Sequence, residues 1–289
     1  MRLALYDVNG EKRLYLQSDG RWVELWTNDL VAVIRDADGG VSRLQEAAQQ
    51  ASVDQAPPSD ARVLAPLRNP GKMVFVGGNY RDALEALPAD VQARFRTDQP
   101  IVFSKLPTSI TDPGSPIELP PGDESHTDYE GELAVVIGRG GRRISRETAH
   151  EHVFGYTIIN DVSERKLQHE LQQMMIGKGM DTFCPMGPAV VLTDELPDPS
   201  TLAISTRING KVVQESTTRQ LIFTIPDIIF HVSKQITLEP GDIIATGTPG
   251  GVGFMRTPPL FLQAGDTVTV EVERIGRLEN PVVAARTAG

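Results

Sequence analysis

Glu130 and Glu132 stand two apart in the run Asp128-Tyr129-Glu130-Gly131-Glu132-Leu133, and Asn160-Asp161 follows further along the chain. Residues two apart on an extended strand share a face, so both carboxylates point the same way beside the apolar run Leu133 to Ile137. Side by side next to a buried segment they repel each other and lose hydration. A hard divalent cation that takes oxygen ligands, Mg2+ foremost, relieves both costs. Asp128 falls on the same face and makes three acidic positions in a row. Asp161, at the end of a predicted strand, is the third ligand in this reading. The bland alternatives are a solvated strand face for the glutamates and a turn or cap role for Asp161. The first is weakened because Leu133 to Ile137 is apolar on both faces, as a strand running into the interior would be.

Further groups are spaced to serve such a site. Arg165 and Gln168 are three apart on a predicted helix that follows Asp161, hence on one face. Arginine clamps a carboxylate with a fork of donors, and glutamine bridges a ligand oxygen and a metal-bound water. A solvated polar face is the ordinary role for such a pair. Lys178 lies between Gly177 and Gly179, and Lys105 ends the apolar run Ile101 to Phe103. Surface charge is the default for either lysine. The loop Thr246 to Gly253 is glycine-rich and offers N–H groups and the Thr248 hydroxyl to an anion. It is neither a Walker A loop nor a dinucleotide fingerprint. The histidines form no metal motif: His150 and His152 diverge on a predicted helix, and His169 and His231 sit on others. His126, just before the acidic strand, is placed to reach the metal's surroundings. The single Cys184 pairs with nothing and reads as a small buried apolar residue.

The elements that would carry these groups are mostly strands. Residues 1–60 read as a small N-terminal α/β domain and linker, with strands at Met1 to Tyr6, Lys12 to Gln17, Trp22 to Trp26 and Leu30 to Ile34, a turn at Asp36 to Gly40 and a helix at Ser42 to Gln50. Residues 61–289 form the second domain. Its strands are expected at Lys72 to Val76, Ile101 to Ser104, Leu133 to Ile137, Gly155 to Ile159, Ala189 to Leu192, Leu202 to Ile208, Ile243 to Thr246 and Thr267 to Val272. Asn209-Gly210 marks a two-residue hairpin. Helices are expected at Arg81 to Phe95, broken near Pro88, at Ser163 to Met175 with Ser163 as N-cap, and at Pro226 to Gln235 with Thr224 outside it. The fold class is α+β and mainly β.

A net charge of −10 without a basic run argues against nucleic-acid and anionic-membrane partners. No apolar stretch reaches membrane-spanning length and no leader pattern opens the chain, so a cytoplasmic protein is expected. A small anionic substrate remains compatible, because a metal and a few cations decide the local field.

Taken in order, the motifs Gly78-Asn79-Tyr80-Arg81-Asp82, Phe103-Ser104-Lys105, Asp128 to Gly138, Gly155-Tyr156-Thr157, Asn160-Asp161-Val162-Ser163, Gly177-Lys178, Asp181 to Pro188 and Pro240-Gly241-Asp242 through Thr248-Pro249 resemble the fumarylacetoacetate hydrolase superfamily over about Lys72 to Asn280. The stretch Phe254 to Gly265, with Arg256-Thr257-Pro258-Pro259, resembles its branch of fumarylacetoacetate hydrolase domain-containing protein 2, a group with oxaloacetate tautomerase activity. The resemblance implies a mixed β-sandwich roll, a homodimer, and Mg2+, with Mn2+ or Ca2+ as alternatives, on Glu130, Glu132 and Asp161. It implies that Arg165, Gln168, Lys178 and Thr248 hold the oxo-acid end of a substrate, with Lys105 and Tyr80 as further pocket residues. The implied substrates are small 2-oxo or 1,3-dioxo acids that chelate the metal so that an enolate is stabilised.

One departure bears on the reaction. Hydrolases of the family carry a His and, three residues later, a Glu on a lid after Asn-Tyr-x-Asp, and these activate water. Here Ala83 and Ala86 occupy those positions, with Glu85 adjacent. Carbon–carbon bond hydrolysis of acylpyruvate type is therefore the expectation from the family, with Glu85 or His126 as substitute base. Tautomerisation, isomerisation or decarboxylation of an oxaloacetate-like acid is the alternative that the missing lid His favours. A catalytically weak metal- or oxo-acid-binding protein is the third.

Overall fold

The computed structural model describes residues 1–35, 41–51, 53–87, 89–92, 98–122 and 125–285. Eight of the apolar, β-branched runs form the strands Met73–Gly77, Ile101–Ser104, Gly131–Ile137, Val153–Asn160, Cys184–Leu192, Ala203–Ile208, Ile243–Ala245 and Thr267–Val272. The fold is mainly β, with two large facing sheets, a separate two-stranded pair (Thr127–Asp128 with Ser163–Glu164) and few helices. Across the larger sheet the main path runs Arg21–Glu24, Glu11–Ser18, Arg2–Val8, Cys184–Leu192, Val153–Asn160, Gly131–Ile137, Ile243–Ala245, Met73–Gly77, Ile101–Ser104. The first strand pairs Arg2 with Val191 and Leu3 with Val190, so the N-terminal segment extends the same sheet as the rest of the chain. The smaller sheet runs Lys211–Thr217, Ala203–Ile208, Thr267–Val272, Gly276–Val283, Ile117–Glu118. Asn209 and Gly210 turn its first hairpin with φ of 50° and 79°, the left-handed pair that a two-residue turn requires.

Every residue of Gly131–Ile137 is buried, and the alternation shows why it is apolar throughout. Leu133, Val135 and Ile137 pack toward the smaller sheet with Ile204, Val270 and Val272. Ala134 and Val136 pack on the other face with Leu3, Leu5, Leu30 and Ile34. Each large apolar side chain in such a position contributes roughly 1.5–3 kcal/mol. Glu132 has the parity of Ala134 and Val136, so the strand that builds two cores also carries a carboxylate into the interior.

Some local expectations are corrected. The run at Leu30 is not a strand but the helix Leu30–Arg35. Leu30, Val31, Val33 and Ile34 are buried while Ala32 and Arg35 are exposed, a helical period that five apolar residues in a row conceal. Asp29 starts it, accepting from Val31 N at 2.9 Å. The helix after Asp161 begins at Arg165 and ends at Leu171, with Glu164 rather than Ser163 as its N-cap. Gln172 then turns left-handed, and a second short helix, Met174–Lys178, follows. His150 and His152 lie on a 3-10 turn, Ala149–His152. Thr224 caps Ile225–Ser233 through a capping box with Asp227, as its sequence indicates. The helical stretch at Arg81 consists of Arg81–Glu85 and Ala89–Gln92; Pro88 and residues 93–97, like the expected turn at Asp36 to Gly40, lie outside the described residues.

Candidate active site

Glu130, Glu132 and Asp161 converge, each offering a carboxylate oxygen within 4.8 Å of the others, and all three are buried. Strand pairing sets this up. Gly131 pairs with Asn160 at the end of the antiparallel ladder. Asp161 N–H then donates to Glu130 O at 2.8 Å, and Glu130 N–H donates to the Asn160 side chain at 3.0 Å. The bends on either side of the ladder thus hold the acids opposite each other.

Three cations meet them. Lys178 Nζ donates to Asp161 at 2.5 Å, Ser163 Oγ at 2.8 Å and Glu130 at 3.0 Å. Lys105 Nζ donates to Asp161 at 2.6 Å and to the carbonyls of Phe183 at 2.6 Å and Val162 at 2.9 Å, which uses all three of its protons. Arg165 bonds Glu130 and Asp128. Burial opposes charge on every member, and the balance differs. For Glu130 burial is outweighed by Lys178 and Arg165, which hold its carboxyl down to about 2. Lys178 and Arg165 are in turn held protonated, their desolvation outweighed by these carboxylates. Lys105, with one carboxylate for partner, is pushed down by burial.

Glu132 is the member left over. Among the described residues it has no ion-pair partner and accepts one hydrogen bond, from Gly247 N–H at 2.9 Å. Burial, then Asp161 and Glu130, raise its carboxyl well above the ordinary range. Four carboxylates, counting Asp128, therefore face Arg165, Lys105 and Lys178. That excess of negative charge, on three convergent oxygens from glutamate and aspartate, fits a hard divalent cation. Tyr80 is fully buried, its hydroxyl has no partner among the described residues, and its ionisation is suppressed by burial and by Glu132.

A cleft of about 160 Å³ opens onto one side of this cluster. Glu130, Arg165, Gln168, Lys178 and Thr248 line one part of it. Gln168 Oε1 accepts from Arg165 at 3.3 Å, while its buried Nε2 has no partner among the described residues. Thr248 Oγ1 donates to Gly131 O at 3.0 Å and accepts from Gln214 at 2.8 Å. Gly177 allows the close packing that puts Lys178 beside Gln168: a Cβ there would meet Gln168 Cγ and lie 2.7 Å from Glu164 O. The rest of the lining is mostly apolar, with Ala83, Leu84 and Leu87 from the Arg81–Glu85 helix and its end, and Ile101, Met174, Phe254 and Met255.

The candidates thus divide. Glu130, Arg165, Gln168, Lys178 and Thr248 come together on the cleft wall. Glu132, Asp161, Lys105 and Tyr80 are buried and do not line it. Glu85 is exposed and does not line the cleft. His126 packs its ring against Phe261 at 4.8 Å between centroids and is also outside the cleft lining. Asp128, which alternation groups with the two glutamates, completes the network, as do Asn160, Ser163 and Gly247, which only their adjacency to the named motifs signals.

Comparison with known proteins places this geometry. Residues 72–283 match the family described as fumarylacetoacetate (FAA) hydrolase C-terminal. The chain belongs to the fumarylacetoacetate hydrolase superfamily, in the branch of fumarylacetoacetate hydrolase domain-containing protein 2, and is an enzyme of isomerase or hydrolase type. It is 45% identical over 227 residues to oxaloacetate tautomerase YisK of Bacillus subtilis, covering 78% of this chain and 74% of that protein. Fumarylacetoacetate hydrolase from Exiguobacterium antarcticum superposes over 99% of this chain and 100% of its own, with a TM-score of 0.84 and 38% identity. Maleylpyruvate hydrolase from Sphingobium sp. SYK-6, whose structure holds manganese(II) and pyruvate, superposes over 99% of this chain and 100% of its own, with a TM-score of 0.79 and 28% identity. No helix among the described residues is long and apolar enough to cross a membrane.

Proposed function

We propose that this chain is a Mg2+-dependent keto–enol tautomerase of a small 2-oxo acid, with oxaloacetate as the first substrate to test. The observation that carries the reading is the lid wall. Ala83, Leu84 and Leu87 face the cleft and Glu85 faces solvent, so among the described residues the lid offers no base to a water molecule. Hydrolysis needs that base; tautomerisation needs only a proton moved between carbon and oxygen.

The charged part of the lining supplies binding and charge stabilisation for the enolate. Glu130, Glu132 and Asp161 would hold the ion, which when bound supplies Lewis acidity toward a substrate carbonyl. Arg165 and the unpaired amide of Gln168 orient the substrate carboxylate. Lys178, the one lysine lining the cleft among the described residues, is held as an ammonium with its protons on Asp161, Ser163 and Glu130, and its positive charge would stabilise the oxygen on which charge develops. The apolar lid wall excludes water from the other side. Relatives named as tautomerases support this reading, and the hydrolase with pyruvate supports hydrolysis of a 1,3-dioxo acid as the second.

The test is a Mg2+-supplemented assay of oxaloacetate and a set of acylpyruvates, with enol disappearance, pyruvate release and CO2 measured separately. Accelerated enol loss without stoichiometric pyruvate or CO2 is the expected pattern. Pyruvate release from an acylpyruvate outpacing enol conversion would replace the proposal with hydrolysis.

A further inference from the structure

Asp128 has the spacing of a metal ligand and does not join the metal cluster. Both of its oxygens are already occupied. Oδ1 accepts from Gly253 N at 2.7 Å and Tyr129 N at 2.8 Å, and Oδ2 accepts from Phe254 N at 3.1 Å and Arg165 Nε at 3.0 Å, with Arg165 Nη2 at 2.9 Å. The side chain is fully buried. Two things are therefore fastened to one carboxylate: the guanidinium on the cleft wall and the loop that carries Phe254, whose ring lies 4.4 Å from the Arg165 carbon. Gly253 is required for the approach, since a Cβ there would run into Leu260 O and come within 2.7 Å of Asp128 itself.

The consequence shows in the donors left over. Arginine has five N–H groups. Asp128 takes Nε–H, Glu130 takes one on Nη2 and Gln168 Oε1 takes one on Nη1, while the Asp128 carboxylate also lies 2.9 Å from Nη2 as an ion pair. One Nη1–H remains, next to the unpartnered Nε2 of Gln168. A carboxylate has the acceptor geometry that such a pair of adjacent donors fits.

We propose that Asp128 is a positioning residue for the reaction: it locks Arg165 so that Arg165 and Gln168 present one fixed edge of donors to the substrate carboxylate. The inference rests on the reading of Arg165 as the group that binds the acid end. Fixing the fork matters because arginine otherwise carries large rotamer freedom, and a displacement of about 1 Å at a binding group can cost 100-fold.

Asp128→Asn tests it. The amide oxygen still accepts from Gly253 and Tyr129, while the NH2 now opposes the Arg165 donors. Oxalate binding in Mg2+, followed by calorimetry, is read beside KM and kcat. The expected result is a 10- to 100-fold weaker oxalate Kd and a matching rise in KM, with kcat and Mg2+ affinity changed less than about threefold. In an Arg165→Lys background the same substitution should cost less than about twofold, because Asp128 acts through Arg165. Unchanged oxalate affinity, or an equal cost in both backgrounds, overturns the proposal. Oxalate binding needs no turnover, so failure of the tautomerase reading would show separately as absent enol conversion by the parent. Should Asp128→Asn not fold, the Arg165 Nε–H of the parent, assigned by its loss in Arg165→Lys, decides instead. Slow solvent exchange before and after oxalate is expected, and exchange as fast as at exposed arginines overturns the lock.

Discussion

Glu132→Gln isolates the carboxylate that lacks a cation, and its effect should change sign with metal. In EDTA at pH 7 the parent folds with Glu132 driven toward its neutral form by burial, Asp161 and Glu130. The folded carboxyl has a raised proton affinity against an ordinary value of 4.5, so the folded state binds more protons than the unfolded one, and stability falls as pH rises above 4.5. At pH 7 the penalty cannot exceed the cost of protonation between pH 7 and that ordinary value, about 3 kcal/mol. Glutamine carries no such penalty and still accepts from Gly247 N–H. Allowing for relaxation, the variant should be more stable by about 2 kcal/mol, or about 4 °C in Tm for a chain of this size. The gain should shrink toward zero as pH falls to 4.5. Glu130, held down to about 2, contributes the opposite slope, with stability present above 4.5 and lost as pH falls toward 2, so the comparison belongs above pH 5. In saturating Mg2+ the order should reverse: the parent gains about 2.7 kcal/mol at a hundredfold excess over Kd, and the variant gains little. Thermal unfolding in both media over pH 5–8 is the assay. A gain in EDTA that does not depend on pH, or a variant that Mg2+ stabilises as much as the parent, refutes the reasoning.

Lys178→Met should lower turnover of an oxo acid by about 100-fold or more, because the ammonium beside the reacting oxygen is lost. The same change should tighten Mg2+, since Glu130 and Asp161 lose a competing cation; steady-state kinetics and calorimetry separate the two, and unchanged kinetics removes Lys178 from the reaction. Installing the lid dyad as Ala83→His with Ala86→Glu should raise acylpyruvate cleavage by about 10-fold or more relative to the parent, within the usual range for general-base catalysis. A parent that already cleaves as fast as this double variant, and loses nothing when His126 and Glu85 are removed, defeats the lid argument.

What the sequence made legible were features with a local period. Glu132 follows from alternation along Gly131–Ile137, and Arg165 with Gln168 follows from helical spacing. Alternation misleads at Asp128, because the chain bends there: Thr127–Asp128 is a separate short strand pairing with Ser163–Glu164, while the buried strand begins at Gly131. The run at Leu30 misleads for a different reason, since five consecutive apolar residues suit a buried strand or a buried helix equally. The exposure of Glu85 was within reach of a helical reading, given that Ala83, Leu84 and Leu87 share one side of the turn. Lys105 was not. Nothing near it in sequence indicates that its three protons go to Asp161, Val162 and Phe183, contacts made by the tertiary fold alone.

The two walls of the cleft divide the chemistry unequally. The acidic wall is tied into both cores: Glu132 continues a strand buried on both faces, Asp161 is fixed by the ladder, and Lys105 and Lys178 lose buried carboxylate partners if Asp161 or Glu130 changes, at roughly 3–5 kcal/mol for each broken pair. The lid wall is a short helix, Arg81–Glu85, whose cleft-facing Ala83 and Leu84 are only partly buried. A substitution there costs little stability, of the order of 0.5 kcal/mol for a surface site. A cation site that stabilises charge on a bound oxo acid can therefore persist while the presence or absence of a water-activating base changes independently. Under the proposed function, the reaction type turns on what Ala83 and Ala86 leave out of the lid, and the class of acid turns on Arg165, Gln168 and Lys178.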